Sequence, residues 1–152
     1  MAKRLFRSKW LNEWLLFALL AIFINSFMIM KLLTLDLASP HAVAEMIQYS
    51  VRWAVPFIFL VTATSALFKL FPNEGFLWLL RNRRYVGLSF AMAMAWQGAF
   101  IFIVSSTHSE HYYAEIYLLR DELEGSSGYL LLAAMTLTSF GFFRRRLTPQ
   151  QW

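Results

Sequence analysis

The stretch "RRYVGLSFAMAMAWQGAFIF" (residues 83–102) decides how the chain is read. After Arg83 and Arg84 it carries no charge, and its single amide is Gln97. The pattern is apolar on every face, which suits a helix in lipid and not an alternating strand. An unpartnered amide in hydrocarbon costs several kcal/mol, so Gln97 needs an explanation.

Three other apolar runs stand beside it. They cover residues 14–30, 51–71 and 127–143, and with residues 85–104 they make four predicted spans. Each is near the ~20 residues that cross ~30 Å of hydrocarbon, the last being the shortest. Composition agrees: 59% of the 152 residues are hydrophobic and 15% are charged, with mean hydropathy +0.49. Soluble domains hold about 45–50% apolar residues, so a bilayer has to cover part of this surface. The expected fold is an all-α integral membrane protein, a single domain of four transmembrane helices packed as a bundle. A small-molecule transporter or channel is disfavoured, because no span carries a charged or interrupted path.

The net charge of +5 resolves into topology once the charges are placed. Lys3, Arg4, Arg7 and Lys9 precede the first span. Lys69, Arg81, Arg83 and Arg84 fall between the second and third, and Arg144, Arg145 and Arg146 follow the fourth. These are eleven of the fourteen Lys and Arg. The outer loops, residues 31–50 and 105–126, hold Lys31, Arg52 and Arg120 at or near their edges, and the second holds Glu110, Glu115, Asp121, Glu122 and Glu124. Basic residues mark the cytoplasmic side, which predicts both termini inside. The basic start followed by a spanning run reads as a signal anchor in the cell's inner (plasma) membrane. No nucleic-acid motif is present. The absence of cysteine excludes disulfides, iron–sulfur clusters and thiol chemistry.

Finer expectations follow from the loops. Asp36 to Ser39 before Pro40 predicts a turn, and residues 40–50 predict a short interfacial helix entering span two. Pro56 predicts a local kink. Residues 110–125 are amphipathic and Tyr-rich, fit for the membrane surface. Gly125 to Gly128 predicts a break before span four.

Few side chains carry candidate chemistry. Gln97 reads most simply as a packing amide bonded to a neighbouring helix, with Asn25, Thr62, Thr64, Ser65, Thr136, Thr138 and Ser139 as possible partners. The alternative is a contact to a quinone carbonyl or another cofactor. His108, His111 and Glu115 fall on one helical face outside the membrane and form a candidate metal set, although not at HExxH spacing. His41 reads as a surface residue. Met28, Met30, Met92, Met94 and Met135 read as ordinary fillers of apolar space, with a haem or copper role for Met94 as the alternative. Glu13 lies at the inner edge of span one. Trp53, Trp78 and Trp96 read as exposed aromatics suited to an interface or to interfacial anchoring. No nucleophilic triad, phosphate loop or intramembrane carboxylate pair is present, so an enzyme is not the favoured reading.

Residues 81–100, "RNRRYVGLSFAMAMAWQGAF", and residues 137–152, "LTSFGFFRRRLTPQQW", resemble the ferric reductase-like transmembrane domain family, which includes the haem subunit of the bacterial methionine sulfoxide reductase system. The matching features are Arg83, Arg84, Gly87 and Leu88, then Leu137, Thr138 and Ser139 before Arg144 to Arg146. "RWAVPFIFLVTATSALFKLFP" is similar to the family's second span. The resemblance implies haem histidines ten and seven residues past Gly87, and those places are Gln97 and Met94 here. It also implies a Leu-His segment and further spans after the basic-Trp stretch that ends at Trp152. No predicted span contains a histidine, the usual b-haem ligand. The expectation is a shortened, non-haem relative acting as an accessory or scaffold subunit among other membrane subunits, with no cofactor. The alternative is a b-type cytochrome or quinone-linked electron carrier, with haem b or quinone bound.

Overall fold

The computed structural model describes residues 12–36, 39–111 and 119–139, and among them there is helix and no strand. Four helices account for most of the chain: α1 (Glu13–Leu32), α2 (Pro40–Leu70), α3 (Glu74–Thr107) and α4 (Leu119–Ser139), with a single turn at Ser109–His111. The chain divides into two compact units at Val104/Ser105.

Local chemistry sets the helix boundaries. The predicted turn is present, with Ser39 N–H donating to Asp36 O at 3.1 Å. Pro40 then opens α2 at its first position, where a missing N–H is harmless and φ is already helical. Residues 40–50 are not a separate interfacial helix: α2 is continuous for 31 residues and runs through Pro56. The α2–α3 joint is short. Phe71 leaves the helix at φ −132°, ψ 78°, as a residue before proline tends to. Asn73 then caps α3, its Oδ1 accepting from Phe76 N–H at 3.0 Å. Glu74 stands in the first turn, where a carboxylate favours the helix dipole.

This start corrects the predicted loop ahead of span three and leaves the predicted span, residues 85–104, inside a longer helix. Arg81, Arg83 and Arg84 lie inside α3 and not in a loop, because the Asn73 cap starts the helix before them. α4 requires a similar correction. It runs unbroken through Gly125 and Gly128, where an added Cβ would meet nothing within 4 Å. Two glycines weaken a helix by about 1 kcal/mol each relative to alanine, which is a cost and not a stop.

The first unit is an up-down-up bundle, and its register can be read from side-chain pairs. Between α1 and α3 partner numbers rise together: Glu13 with Asn82, Trp14 with Tyr85, Asn25 with Trp96. These helices are parallel. Between α1 and α2 they run oppositely, Lys31 with Glu45 and Phe23 with Trp53. Between α2 and α3 they do so again, Ser65 with Arg83 and Val61 with Gly87.

Ile24, Met28, Val43, Met46, Ala54, Ala93, Phe100 and Val104 are buried. The outward faces are apolar too, with Ile22 64% exposed, Phe59 67% and Phe102 72%. That is the reverse of a soluble surface and is what lipid accepts. Hydroxyls on these faces are spent within their own helices, Ser26 Oγ on Ile22 O at 2.8 Å and Thr62 Oγ1 on Ile58 O at 2.8 Å. Buried Ser50, Thr64 and Ser89 do the same, on Ile47 O, Leu60 O and Tyr85 O.

α1, α2 and α3 are each long and apolar enough to cross a membrane. The described part of α4 opens on a charged turn, and residues 140–143 of the predicted fourth span lie outside the described residues.

Candidate functional site

Two polar clusters join α1 to α3. The first is at the end where both helices begin. Asn82 is buried, and its Oδ1 accepts from Glu13 N–H at 3.0 Å. Its Nδ2 donates to Asn12 Oδ1 and to Trp78 O, both at 3.0 Å. The amide is therefore fully used. It also holds the backbone at Glu13, which has a positive φ of 60°, a conformation that costs a residue with a side chain about 1–2 kcal/mol.

The second cluster lies deeper. Trp96 Nε1 donates to Asn25 Oδ1 at 2.9 Å, and Asn25 Nδ2 donates to Ala21 O at 2.7 Å. Trp96 stacks on Phe100 with ring centroids 5.9 Å apart. Beside this satisfied pair sits Gln97, a half-buried residue whose Oε1 is buried with no hydrogen-bond partner. Gln97 is thirteen residues past Arg84, or about 20 Å along the helix at ~1.5 Å per residue. The α2–α3 register brings it level with the α2 turn around Val51, where the Ser50 hydroxyl is already committed to Ile47 O.

The expected intrachain partners of Gln97 are all otherwise engaged. Asn25 is taken by Trp96. Thr62, Thr64, Thr136, Thr138 and Ser139 donate to carbonyls of their own helices, and Ser65 meets Arg83. The physical reason is common to the hydroxyls: a carbonyl three or four residues back is always within reach in a helix. Met94 stands one turn before Gln97 and is half-buried.

One other expectation changes. Trp53, Trp78 and Trp96 are half-buried and not exposed. Trp53 packs against Phe23, Phe27 and Tyr49, and Trp96 is fixed by Asn25. His108, at the end of α3, has a buried Nε2 without a partner. The side chain of His111 and all of Glu115, the other two members of the candidate metal set, lie outside the described residues. Among the described residues no group of three His, Asp or Glu side chains is placed to hold a metal.

Sequence reading overlooked Asn82, which is flanked by arginines and looks like loop chemistry. The signal was available: an Asn followed one turn later by an uninterrupted apolar run. The fold defines a class, a helical membrane protein with three helices among the described residues long and apolar enough to cross a bilayer. The chain matches no protein-family model, no curated protein and no solved structure.

Proposed function

We propose that this chain is a non-haem accessory subunit of a membrane complex, and that Gln97 is a point where a partner helix docks. One observation carries the reading. Asn25 and Asn82 find all their partners within the chain, whereas the Gln97 oxygen finds none. In hydrocarbon an orphan acceptor demands an N–H or O–H donor, and polar side chains between helices supply such contacts. The half-exposed side chain lets the amide turn toward a neighbour.

The topology belongs to the same proposal: four spans, both termini cytoplasmic, in the inner (plasma) membrane. Its support is that Lys69, Arg81, Arg83 and Arg84 gather at the end where α1 begins, α2 ends and α3 begins. The likeness of Arg83, Arg84, Gly87 and Leu88 to the ferric reductase-like pattern motivates a non-haem relative, since no predicted span offers an imidazole.

The competing reading is an electron carrier with haem or quinone at Met94 and Gln97. An oxidised quinone offers no donor to the orphan oxygen and only its quinol form would, whereas a partner side chain supplies one in every redox state, which favours the docking reading. An absorption spectrum of the protein purified in mild detergent, oxidised and then dithionite-reduced, separates the two. The accessory reading predicts a featureless visible region. A Soret peak with a sharp reduced α-band contradicts it.

A further inference from the structure

The end of the bundle where α1 and α3 begin holds a second unfinished site. Arg84 lies with its guanidinium carbon 5.4 Å from the Trp14 ring centroid and 5.5 Å from that of Tyr85. Those two rings meet edge to face at 5.5 Å, so the guanidinium is held against an aromatic corner. Its Nε is buried and has no hydrogen-bond partner. Arg81, one turn earlier on the same side of α3, is exposed.

No carboxylate among the described residues lies within 4.0 Å of either arginine. The single ion pair among them is Lys31–Glu45 at 2.6 Å, at the opposite end of the bundle. One end pairs a cation with a carboxylate, and at the other neither guanidinium is paired with a carboxylate of the described residues. The depth is right for a lipid headgroup. Arg84 immediately precedes the apolar run 85–104, which rises about 30 Å, the thickness of the hydrocarbon layer.

We infer that Arg84 and Arg81 bind the phosphate of an anionic phospholipid, with Trp14 and Tyr85 as the walls of the site. The two Nη groups of a guanidinium donate in one plane, a match for two phosphate oxygens that an ammonium cannot reproduce. Basic pockets between spanning helices take anionic headgroups in this way. A residue that served only to set topology would need charge and not shape, so replacement by lysine would leave it intact.

The test is thermal unfolding of the delipidated protein in detergent, read with added phosphatidylglycerol, phosphatidylcholine or inorganic phosphate, and with native mass spectrometry to count bound lipid. Phosphatidylglycerol is expected to raise the midpoint by several degrees and to leave one lipid bound. Arg84→Lys and the exposed-site variant Arg81→Gln should each lose most of that shift. Arg83→Lys should keep it, because Arg83 faces α2 and meets Ser65 at 3.5 Å. A shift produced by inorganic phosphate and abolished in Arg84→Lys supports the same phosphate site with a free anion as its source. An equal response to phosphatidylcholine, or a full response in both Arg84→Lys and Arg81→Gln, overturns the proposal. Arg81→Gln keeps the test decisive should Arg84→Lys fail to fold.

Discussion

Trp96 and Asn25 are seventy-one positions apart in sequence and 2.9 Å apart in space, the indole N–H of α3 donating to the side-chain oxygen of α1. This bond fixes the parallel register of the two helices within their apolar runs. In lipid the hydrophobic effect does not drive helices together, so such contacts and close packing carry the association. Asn25→Leu should lower stability by about 0.6–2 kcal/mol. Trp96→Phe should cost a similar amount, and the double variant little more than either. Unfolding in mixed micelles with an SDS titration measures all three. Full additivity would show that the bond contributes nothing.

Asn82 carries more than Asn25. It joins three groups at once, the Glu13 N–H, Asn12 Oδ1 and Trp78 O, from a buried position. Removing a buried partner leaves those groups unsatisfied, at about 1–3 kcal/mol. Asn82→Ala is expected to fall at the upper end of that range and to exceed Asn25→Leu in the same titration. Hydrogen exchange should also quicken at the first turns of α1, where the positive φ of Glu13 depends on this contact. Unchanged exchange there would remove Asn82 from its role as a holder of the α1 start.

Gly87 lies in α3 against α2, yet its surroundings do not demand glycine. An added Cβ would meet only Val61 Cγ2, at 3.9 Å. That is ordinary van der Waals contact. Gly87→Ala should therefore be neutral or stabilise α3 by up to about 1 kcal/mol. A loss of more than that would mean the site needs the bare backbone for a closer approach than α2 makes.

The helical fold of the described residues and three helices long and apolar enough to cross a membrane were legible, because apolar runs of membrane length have few other homes. Helix ends were less legible. "FPNE" at residues 71–74 looked like part of a long basic loop, although proline, a capping asparagine and an acidic first turn are the ordinary start signals of a helix. Gly125 and Gly128 looked like a break and were not, since propensity yields to the continuity of the helix around them. The candidate site was legible in part. Gln97 stood out as the single amide in residues 85–104, but nothing in the sequence said that Trp96 would take Asn25, leaving Gln97 without it. Pairing of side chains depends on bundle register, and register is a property of three helices together.

The central claim is that a donor from another chain completes Gln97. Photo-crosslinking from Ile101, one turn beyond Gln97 and half-buried, tests it most directly. A benzophenone amino acid placed there in the otherwise intact chain is irradiated in native membranes. The account predicts one defined protein adduct, abolished when Gln97→Leu is added while the Asn25–Trp96 pair still reports a folded bundle by Trp fluorescence. An adduct pattern unchanged by Gln97→Leu, or adducts to lipid alone, would contradict it.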